Sequence, residues 1–464
     1  MSSATNQAEP LLILPMPIAR VISRWNTYVA RSPLRKMGHT ALVAATTSLV
    51  AKSLGFIKEV VVASIFGLSG ALDIYLVAFV LIGVPLSVLI NAVQTALITH
   101  LAGANLTPNA EASRFVATSL LTLACLAVLL PIWLWALPYV LPWLASGFSV
   151  EKRQALETAL YWLIPYYFLN GLNLLGYGVL QAKGRYLANG LLPTATPIVI
   201  ILALLVWGVT GDWKVLVVSL AIGSAIESLL LLASLYRHGQ LSFPHRLDIK
   251  GMDTIMISSL ALLPGSIMLT VGPVVEQAIA AAMGEGANAA LAYGYKLPSA
   301  LQGILLTAIG ITALPYFARQ LGQNESAYCL HSLNKLALWL LVGGVLLIFP
   351  LSMFSSDIVA LLYQRGAFDA AATTRVAPIQ FAYFMQIPFA LVAMLGIKVL
   401  AALKLNWLTS AYTAIAVLLQ AILAYVLSAR YGIPGIAWAA TLVTALLAAT
   451  SFFTARLTLL KLSQ

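Results

Sequence analysis

The sequence predicts an all-α polytopic membrane protein, with about twelve transmembrane helices arranged in two six-helix lobes. Of its 464 residues, 61% are hydrophobic and 9% are charged, whereas a soluble protein carries about 25% charged residues. The apolar residues also form runs of roughly 20 residues, the length that crosses a bilayer as a helix. Finally, the two halves of the chain resemble each other, which indicates an internal repeat.

Twelve apolar segments are long enough to span a membrane, at 41–65, 73–100, 115–140, 157–181, 190–208, 214–236, 254–283, 290–314, 334–354, 377–401, 408–428 and 434–457. Lys and Arg predict their orientation. Sixteen lie in the N-terminal segment, the even-numbered loops and the C-terminus, against six on the opposite side. Because cytoplasmic loops are enriched in these residues, both termini are predicted to be cytoplasmic.

The repeat divides the chain near its middle. A shift of 217 positions aligns KEVVVASIFG (58–67) with VEQAIAAAMG (275–284), so Glu59 meets Glu276. We therefore predict a first lobe at 39–236, a cytoplasmic linker at 237–251 and a second lobe at 252–464. Six helices per half give the two repeats parallel topology, an architecture of transporters that bind substrate between two lobes.

Three shorter segments complete the predicted organisation. Residues 1–38 are basic and cytoplasmic, and fit either a helix on an anionic inner leaflet or a disordered tail whose charges set orientation. The external segments 144–153 and 361–375 occupy corresponding positions in the two halves. We expect both to be short caps that close the lobes on the outside.

Composition excludes several classes of function. The net charge of +11 does not indicate nucleic-acid binding, because the basic residues lie between apolar spans. Two cysteines, Cys125 and Cys329, provide neither a disulfide framework nor a metal site. Motifs of soluble enzymes are absent from the sequence. We therefore expect no enzyme and no cofactor, apart from a coupling cation or the membrane potential.

The most informative stretch runs from 48 to 79, where an apolar sequence carries Lys52, Lys58, Glu59 and Asp73. A charge near the middle of a span costs at least a few kcal/mol, so such residues are functional by default. The alternative is that Lys52 pairs with Glu59, two helical turns away, and Asp73 with a neighbouring helix end, only to lower the cost of insertion.

The second half contributes Lys296, and Glu276 beside two proline–glycine pairs. The functional interpretation is a cationic central cavity, in which ammonium groups meet an anionic head group. Carboxylates such as Glu59 and Glu276 then neutralise the empty cavity or bind a coupling ion. Glu227 and Lys398 are expected to be structural or snorkelling residues.

Five segments resemble the MurJ (MviN) family, the lipid II flippases of the multidrug/oligosaccharidyl-lipid/polysaccharide (MOP) exporter superfamily, which has the MATE-like two-lobe fold. They are SLVAKSLGFIKEVVVASIFGLSGALDIYLVAF (48–79), VLQAKGRY (179–186), LPYFARQL (314–321), LLYQRGAFD (361–369) and VLAALKLN (399–406). The resemblance covers about residues 39 to 460.

The resemblance implies a multi-pass protein of the bacterial inner membrane that turns undecaprenyl-pyrophosphate-linked saccharide from the cytoplasmic to the periplasmic leaflet. Its partners would be that glycolipid, membrane lipids and enzymes of cell-envelope glycan synthesis. The first-span basic residues that contact pyrophosphate in the family fall on Lys52 and Lys58, and its span-two aspartate falls on Asp73. We predict that these three residues and Lys296 bind substrate.

Three departures from the family pattern leave the substrate open. The family's span-two arginine pair falls on Leu86 and Ser87, its nearby glutamate falls on Asn91, and its span-eight Asp–Arg pair becomes Tyr295–Lys296. The family also usually has fourteen spans, whereas twelve are predicted here. The first choice is lipid II. The alternatives are an exopolysaccharide or O-antigen unit on the same lipid, a cation-coupled multidrug exporter and a membrane scaffold without transport.

Overall fold

The computed structural model describes residues 33–103, 107–237, 239 and 252–463. The predicted N-terminal segment (1–38) and linker (237–251) lie almost wholly outside these residues. In the described part of the chain all regular structure is helical, which confirms the predicted all-α class.

The first half of the described chain forms eight helices, with one-turn 3₁₀ helices at Leu192–Thr194 and Gly208–Thr210. The eight are α1 (Pro33–Phe66), α2 (Gly70–Gly103), α3 (Pro108–Leu144), α4 (Val150–Trp162), α5 (Ile164–Ala182), α6 (Tyr186–Leu191), α7 (Ala195–Trp207) and α8 (Trp213–Arg237). The second half forms seven more. They are α9 (Met252–Ala281), α10 (Ala287–Gly322), α11 (Ser326–Met353), α12 (Ser355–Tyr363), α13 (Ala370–Ala402), α14 (Asn406–Tyr431) and α15 (Ile433–Ser463).

Ten segments of the described chain are helical, long and apolar enough to cross a membrane, and each matches a predicted span. The other two predicted spans, 41–65 and 157–181, fall on α1 and on α4–α5. The single helix expected over 157–181 is instead broken at Leu163, where Pro165 sits in the first turn of α5. Proline is favoured in the first turn of a helix, because N–H groups there have no partner within the helix and proline lacks an N–H.

Close backbone approach holds the second half together. Helix α13 packs against α10, α11, α12 and α15. A Cβ atom at Gly344 would lie 3.2 Å from Pro388, and one at Gly396 would lie 2.5 Å from the Ser451 hydroxyl. Small residues at such crossings let membrane helices pack by van der Waals contact where no hydrophobic effect drives them together.

The two predicted lobes meet chiefly where α2 packs against α9. Two hairpin turns, α1–α2 (67–69) and α9–α10 (282–286), lie at the same end of the molecule, here called the hairpin end. By the Lys and Arg distribution this is the predicted periplasmic end. The exact boundaries of the lobes stay a prediction.

The two external caps close the hairpin end, as expected, but each one packs on the other lobe. A Cβ atom at Gly147, in the first cap, would lie 2.3 Å from the carbonyl oxygen of Ala281 at the end of α9. A Cβ atom at Gly366, in the second cap, would lie 2.1 Å from the carbonyl oxygen of Ser64 near the end of α1. Ser64 and Ala281 are equivalent under the 217-residue shift. The caps therefore make reciprocal contacts related by the repeat.

The second cap is also hydrogen-bonded to α1, since the Ala367 N–H donates to the Ser64 carbonyl at 2.8 Å. Gly366 has a φ of +59°, a left-handed conformation that a side chain disfavours. Only glycine combines this φ with so close an approach to a carbonyl.

Substitution of either cap glycine should destabilise the protein. In Gly147→Ala and Gly366→Ala the new methyl group must displace a backbone carbonyl, and overpacking of this kind costs about 1–3 kcal/mol. We expect both variants to have lower apparent melting temperatures in detergent. The control is Gly343→Ala in α11, where a Cβ would meet no atom within 4 Å. Melting of all three variants at the same temperature would contradict the reciprocal contact.

Candidate anion-binding site

A cavity of about 290 Å³ lies between α1, α2, α5, α7, α8 and α10. Two lysines and two carboxylates line it, together with polar groups of α5, α7 and α8 and a wall of aromatic rings. Its charged residues are Lys58, Glu59, Glu227 and Lys296, and its aromatic residues are Tyr75, Phe79, Tyr166 and Tyr293. The structure thus brings together two of the four predicted substrate-binding residues.

Glu59 joins two lysines from different lobes. Its Oε1 lies 2.8 Å from Lys58 Nζ on the same helix and 2.9 Å from Lys296 Nζ on α10. The side chains of Glu59 and Lys58 are 12% and 19% exposed, and that of Lys296 is 39% exposed. One carboxylate shared by two ammonium groups leaves the triad with a net positive charge, which favours an anion, while Glu227 brings the cavity as a whole to two lysines and two carboxylates.

Lys52 lies on α1 about 9 Å from Lys58 along the helix axis, by the rise per residue. Its side chain is exposed, and its Nζ would lie 3.5 Å from a Cβ placed on Gly303 of α10. Lys52 therefore reaches from α1 towards α10. Among the described residues it forms no ion pair, so the alternative in which Lys52 pairs with Glu59 is wrong.

Asp73 is fully buried at the hairpin end instead of lining the cavity. It accepts hydrogen bonds from Lys152 Nζ at 3.0 Å, the Gly286 N–H at 2.7 Å and the Ala289 N–H at 3.1 Å. A carboxylate at the first turn of α10 satisfies N–H groups that have no partner within the helix. Asp73 thus contacts protein groups from both lobes and pairs with a neighbouring helix end, as the alternative for this residue predicts. Its role as a substrate ligand stays a prediction.

Lys152 and Glu285 complete this contact, and sequence reasoning missed both. Lys152 belongs to α4 and lies 4.1 Å from the centroid of the Phe148 ring. Glu285 accepts the Gly70 N–H at 2.8 Å, and Arg375 donates to the Glu285 carbonyl oxygen at 3.2 Å. In sequence Lys152 was indistinguishable from a charge that sets orientation. Only the tertiary structure shows that its partner is the intramembrane Asp73.

Glu276 is not the mirror image of Glu59 that the repeat suggested. It accepts hydrogen bonds from Gln420 of α14 and from the Tyr383 hydroxyl, the latter at 3.4 Å. Among the described residues no lysine or arginine lies within ion-pair distance of it. The first lobe therefore presents a carboxylate held by cations, and the second a carboxylate held by neutral donors.

Glu227 lines the same cavity as the triad, although the sequence favoured a structural role. The Tyr177 hydroxyl donates to its Oε1 at 2.6 Å, and the Thr196 hydroxyl donates to its Oε2. Its position in span six gave no signal of this, because the neighbours come from α5 and α7.

Two of the positions that depart from the family pattern carry side chains that pack against neighbouring helices. Leu86 is 2% exposed, and its Cδ1 would lie 3.3 Å from a Cβ on Gly171 of α5. Tyr295 stacks edge-on against Tyr383, with ring centroids 4.9 Å apart. Apolar contacts thus occupy positions where the resemblance implied an arginine and an aspartate.

Comparison with known proteins identifies the family. Residues 62–462 match the family described as lipid II flippase MurJ. A probable lipid II flippase MurJ of Synechocystis sp. is 26% identical over 376 residues, which cover 75% of this chain and 68% of that protein. A second, from Rhizobium tropici, is 28% identical over 269 residues, or 54% of this chain. The match spans about half, 49%, of that relative's length.

Solved structures agree on the fold. A lipid II flippase MurJ in an inward closed conformation superimposes with a TM-score of 0.72 at 18% identity, over 90% of this chain and 91% of that one. An inward-facing multidrug resistance MATE transporter of the MOP superfamily gives a TM-score of 0.69 at 12% identity, over 91% and 99%. These likenesses confirm the two-lobe polytopic membrane fold. Because the family match covers most of the chain, this protein belongs to the MurJ family of lipid II flippases.

Proposed function

We propose that this protein moves a polyprenyl-pyrophosphate-linked saccharide, with lipid II as first choice, from the cytoplasmic to the periplasmic leaflet of a bacterial inner membrane. The observation that carries the proposal is the Lys58–Glu59–Lys296 triad, in which one carboxylate joins cations of both lobes. The protein acts as a transporter without chemical catalysis. Association with enzymes of glycan synthesis is part of the same proposal.

The pyrophosphate group can replace Glu59 as the partner of both lysines. It carries more negative charge and more acceptor oxygens than a carboxylate, and its hydrogen bonds to the two ammonium groups are charge-assisted, as those of Glu59 are. Lysine offers point charges without the bidentate fork of arginine. Because Lys58 and Lys296 lie on different lobes, their capture by one anion couples substrate binding to the position of the lobes.

The hairpin end supplies the closed gate that alternating access requires. Asp73, Lys152 and the N–H groups of α10 hold the lobes together there, so the cavity exchanges substrate from the opposite end. Rocking of the lobes would separate these groups and expose the head group outward. One elementary charge moving through 100 mV is worth about 2.3 kcal/mol, which is enough to bias such a two-state equilibrium.

Glu276 is a candidate binding site for the coupling ion, and its surroundings support the proposal. Its partners Gln420 and Tyr383 are neutral, and among the described residues no lysine or arginine lies within ion-pair distance of it. A bound cation or proton would therefore meet no ammonium group already paired with this carboxylate.

The runner-up substrate is an exopolysaccharide or O-antigen unit on the same lipid. Leu86 and Tyr295 stand where the family pattern has charges, so fewer fixed groups recognise the head group. A multidrug exporter is disfavoured, because a cavity that attracts cationic drugs should carry net negative charge, and the two lysines of this cavity balance its two carboxylates. The scaffold hypothesis predicts that the triad lysines are dispensable.

Complementation experiments distinguish these candidate functions. Expression of this chain in a bacterium depleted of its lipid II flippase should restore growth. Failure there, with rescue of a strain that lacks its exopolysaccharide flippase, would assign the runner-up substrate. Failure in both strains at normal protein level would overturn the proposal.

Lys58→Gln should abolish complementation at unchanged protein level. A hydrogen bond to a charged group contributes about 1.5–3 kcal/mol, so substrate binding should weaken roughly 10- to 150-fold. Lys58→Arg should retain function, since it keeps the charge. Lys335→Gln, which alters an exposed lysine of α11, is the control. Wild-type growth with Lys58→Gln would contradict the cationic cavity.

Asp73→Ala should loosen the hairpin end and stop transport. The substitution leaves the Lys152 ammonium and two N–H groups of α10 without their acceptor. We would place a cysteine at Asn288, which is fully buried, after replacing Cys125 and Cys329 with alanine. A membrane-impermeant maleimide applied from outside should label it faster in Asp73→Ala.

The matched control is Asp212→Ala, which removes an exposed aspartate on the same predicted side. Equal labelling rates in the two backgrounds would show that Asp73 does not hold this end closed.

A further inference from the structure

One face of α10 carries a polar stripe. Lys296, Ser299, Gly303, Thr307 and Gly310 follow one another at intervals of three or four residues, which places them on the same side of the helix. The stripe runs from 296 to 310, a rise of about 21 Å along the axis. It begins at the triad and runs towards the C-terminal, predicted cytoplasmic, end of α10.

Two lysines from other helices approach this stripe at its glycines. Lys52 of α1 approaches Gly303, since its Nζ would lie 3.5 Å from a Cβ there. Lys398 of α13 approaches Gly310, since its Cε would lie 3.8 Å from a Cβ at that position, where the Met394 methyl carbon would lie nearer, at 3.0 Å. A larger residue at Gly303 would occupy the space beside Lys52.

Neither lysine has a charged partner within the described ranges. Among the described residues no hydrogen bond joins either lysine to the hydroxyl groups of the stripe; Ser299 donates to the Lys296 carbonyl and Thr307 donates to the Gly303 carbonyl. Lys398 is half-buried, as a lysine is when it buries its stem and keeps its ammonium group accessible. Its stem lies near α10, which holds an unpaired positive charge close to this helix.

Together the three lysines form a ladder along one face of α10. Lys296 stands on the helix itself, Lys52 lies over a glycine seven residues on, and Lys398 lies over a glycine seven residues further. Seven residues make two turns, or about 10.5 Å. Positive charge thus recurs in regular steps between the predicted cytoplasmic end and the triad.

We propose that Lys398 is a further substrate-binding residue, the outermost step of a Lys398–Lys52–Lys296 ladder that guides the pyrophosphate of a lipid-linked substrate along α10 to the triad. The inference rests on the proposed function and adds to it an entry route. A charge at the rim of a site acts mainly on the association rate, whereas a buried partner acts on dissociation. Substitution of Lys398 should therefore change mainly the association rate of the substrate, and substitution of Lys58 mainly its dissociation rate.

The test measures binding kinetics of undecaprenyl pyrophosphate to the full chain in nanodiscs of neutral lipid. Lys398→Met keeps the length of the side chain and suits an apolar helix surface, so it should fold. We expect it to lower the association rate about fivefold to tenfold with little change in the dissociation rate. Lys398→Arg should restore the association rate, and the effect should shrink at high salt. Lys58→Gln should instead raise the dissociation rate, and Lys335→Gln should change neither.

Association at the wild-type rate in Lys398→Met, with Lys58→Gln impaired, would overturn the ladder and leave the proposed function standing. If wild-type protein binds undecaprenyl pyrophosphate no better than undecaprenol, the proposed function and the ladder both fall. If Lys398→Met does not fold, Lys398→Gln is measured in its place. A loss that arginine fails to restore would show a packing role and would also overturn the ladder.

Discussion

The structure depends on a single carboxylate placed between two lobes. Glu59 contacts Lys58 of its own helix and Lys296 of α10, and without it two ammonium groups would face each other in a partly buried cavity. Unpaired charges inside a membrane protein are costly, so this internal anion stabilises the empty protein. Under the proposed function a stronger anion takes over both lysines. One residue would then stabilise the empty site and mark the place of the ligand.

The hairpin end joins the two lobes through several kinds of contact. They combine glycine–carbonyl approaches at Gly147 and Gly366 with the buried Asp73–Lys152 pair. An apolar core adds to them, because Phe148 of the first cap and Phe368 of the second cap are buried in the same hydrophobic cluster. The reciprocity of the two caps follows from the internal repeat, since each lobe carries both a cap and a surface that receives one.

The two lobes are related by the repeat, but equivalent residues in them have different hydrogen-bond and ion-pair partners. The repeat aligns Glu59 with Glu276, yet the first meets two lysines and the second meets Gln420 and Tyr383. The two positions that the repeat relates therefore have different environments, one among cations and one among neutral donors. Neutral donors also hold Glu227 of the first lobe, so the difference belongs to these two positions and not to the lobes as wholes.

The sequence by itself determined the all-helical class, the helical segments, the internal repeat and the family. These follow from the length and spacing of apolar runs and from local motifs, which depend on neighbours along the chain. It could also place Lys58 and Lys296 in a common cavity, since charges inside spans have few alternatives. Only the tertiary structure decided which charges meet: Glu59 with Lys296, Asp73 with Lys152, and Lys398 with the face of α10. Side-chain partners on different helices depend on helix rotation and on the crossing of lobes, and no periodicity along one chain segment fixes either of these.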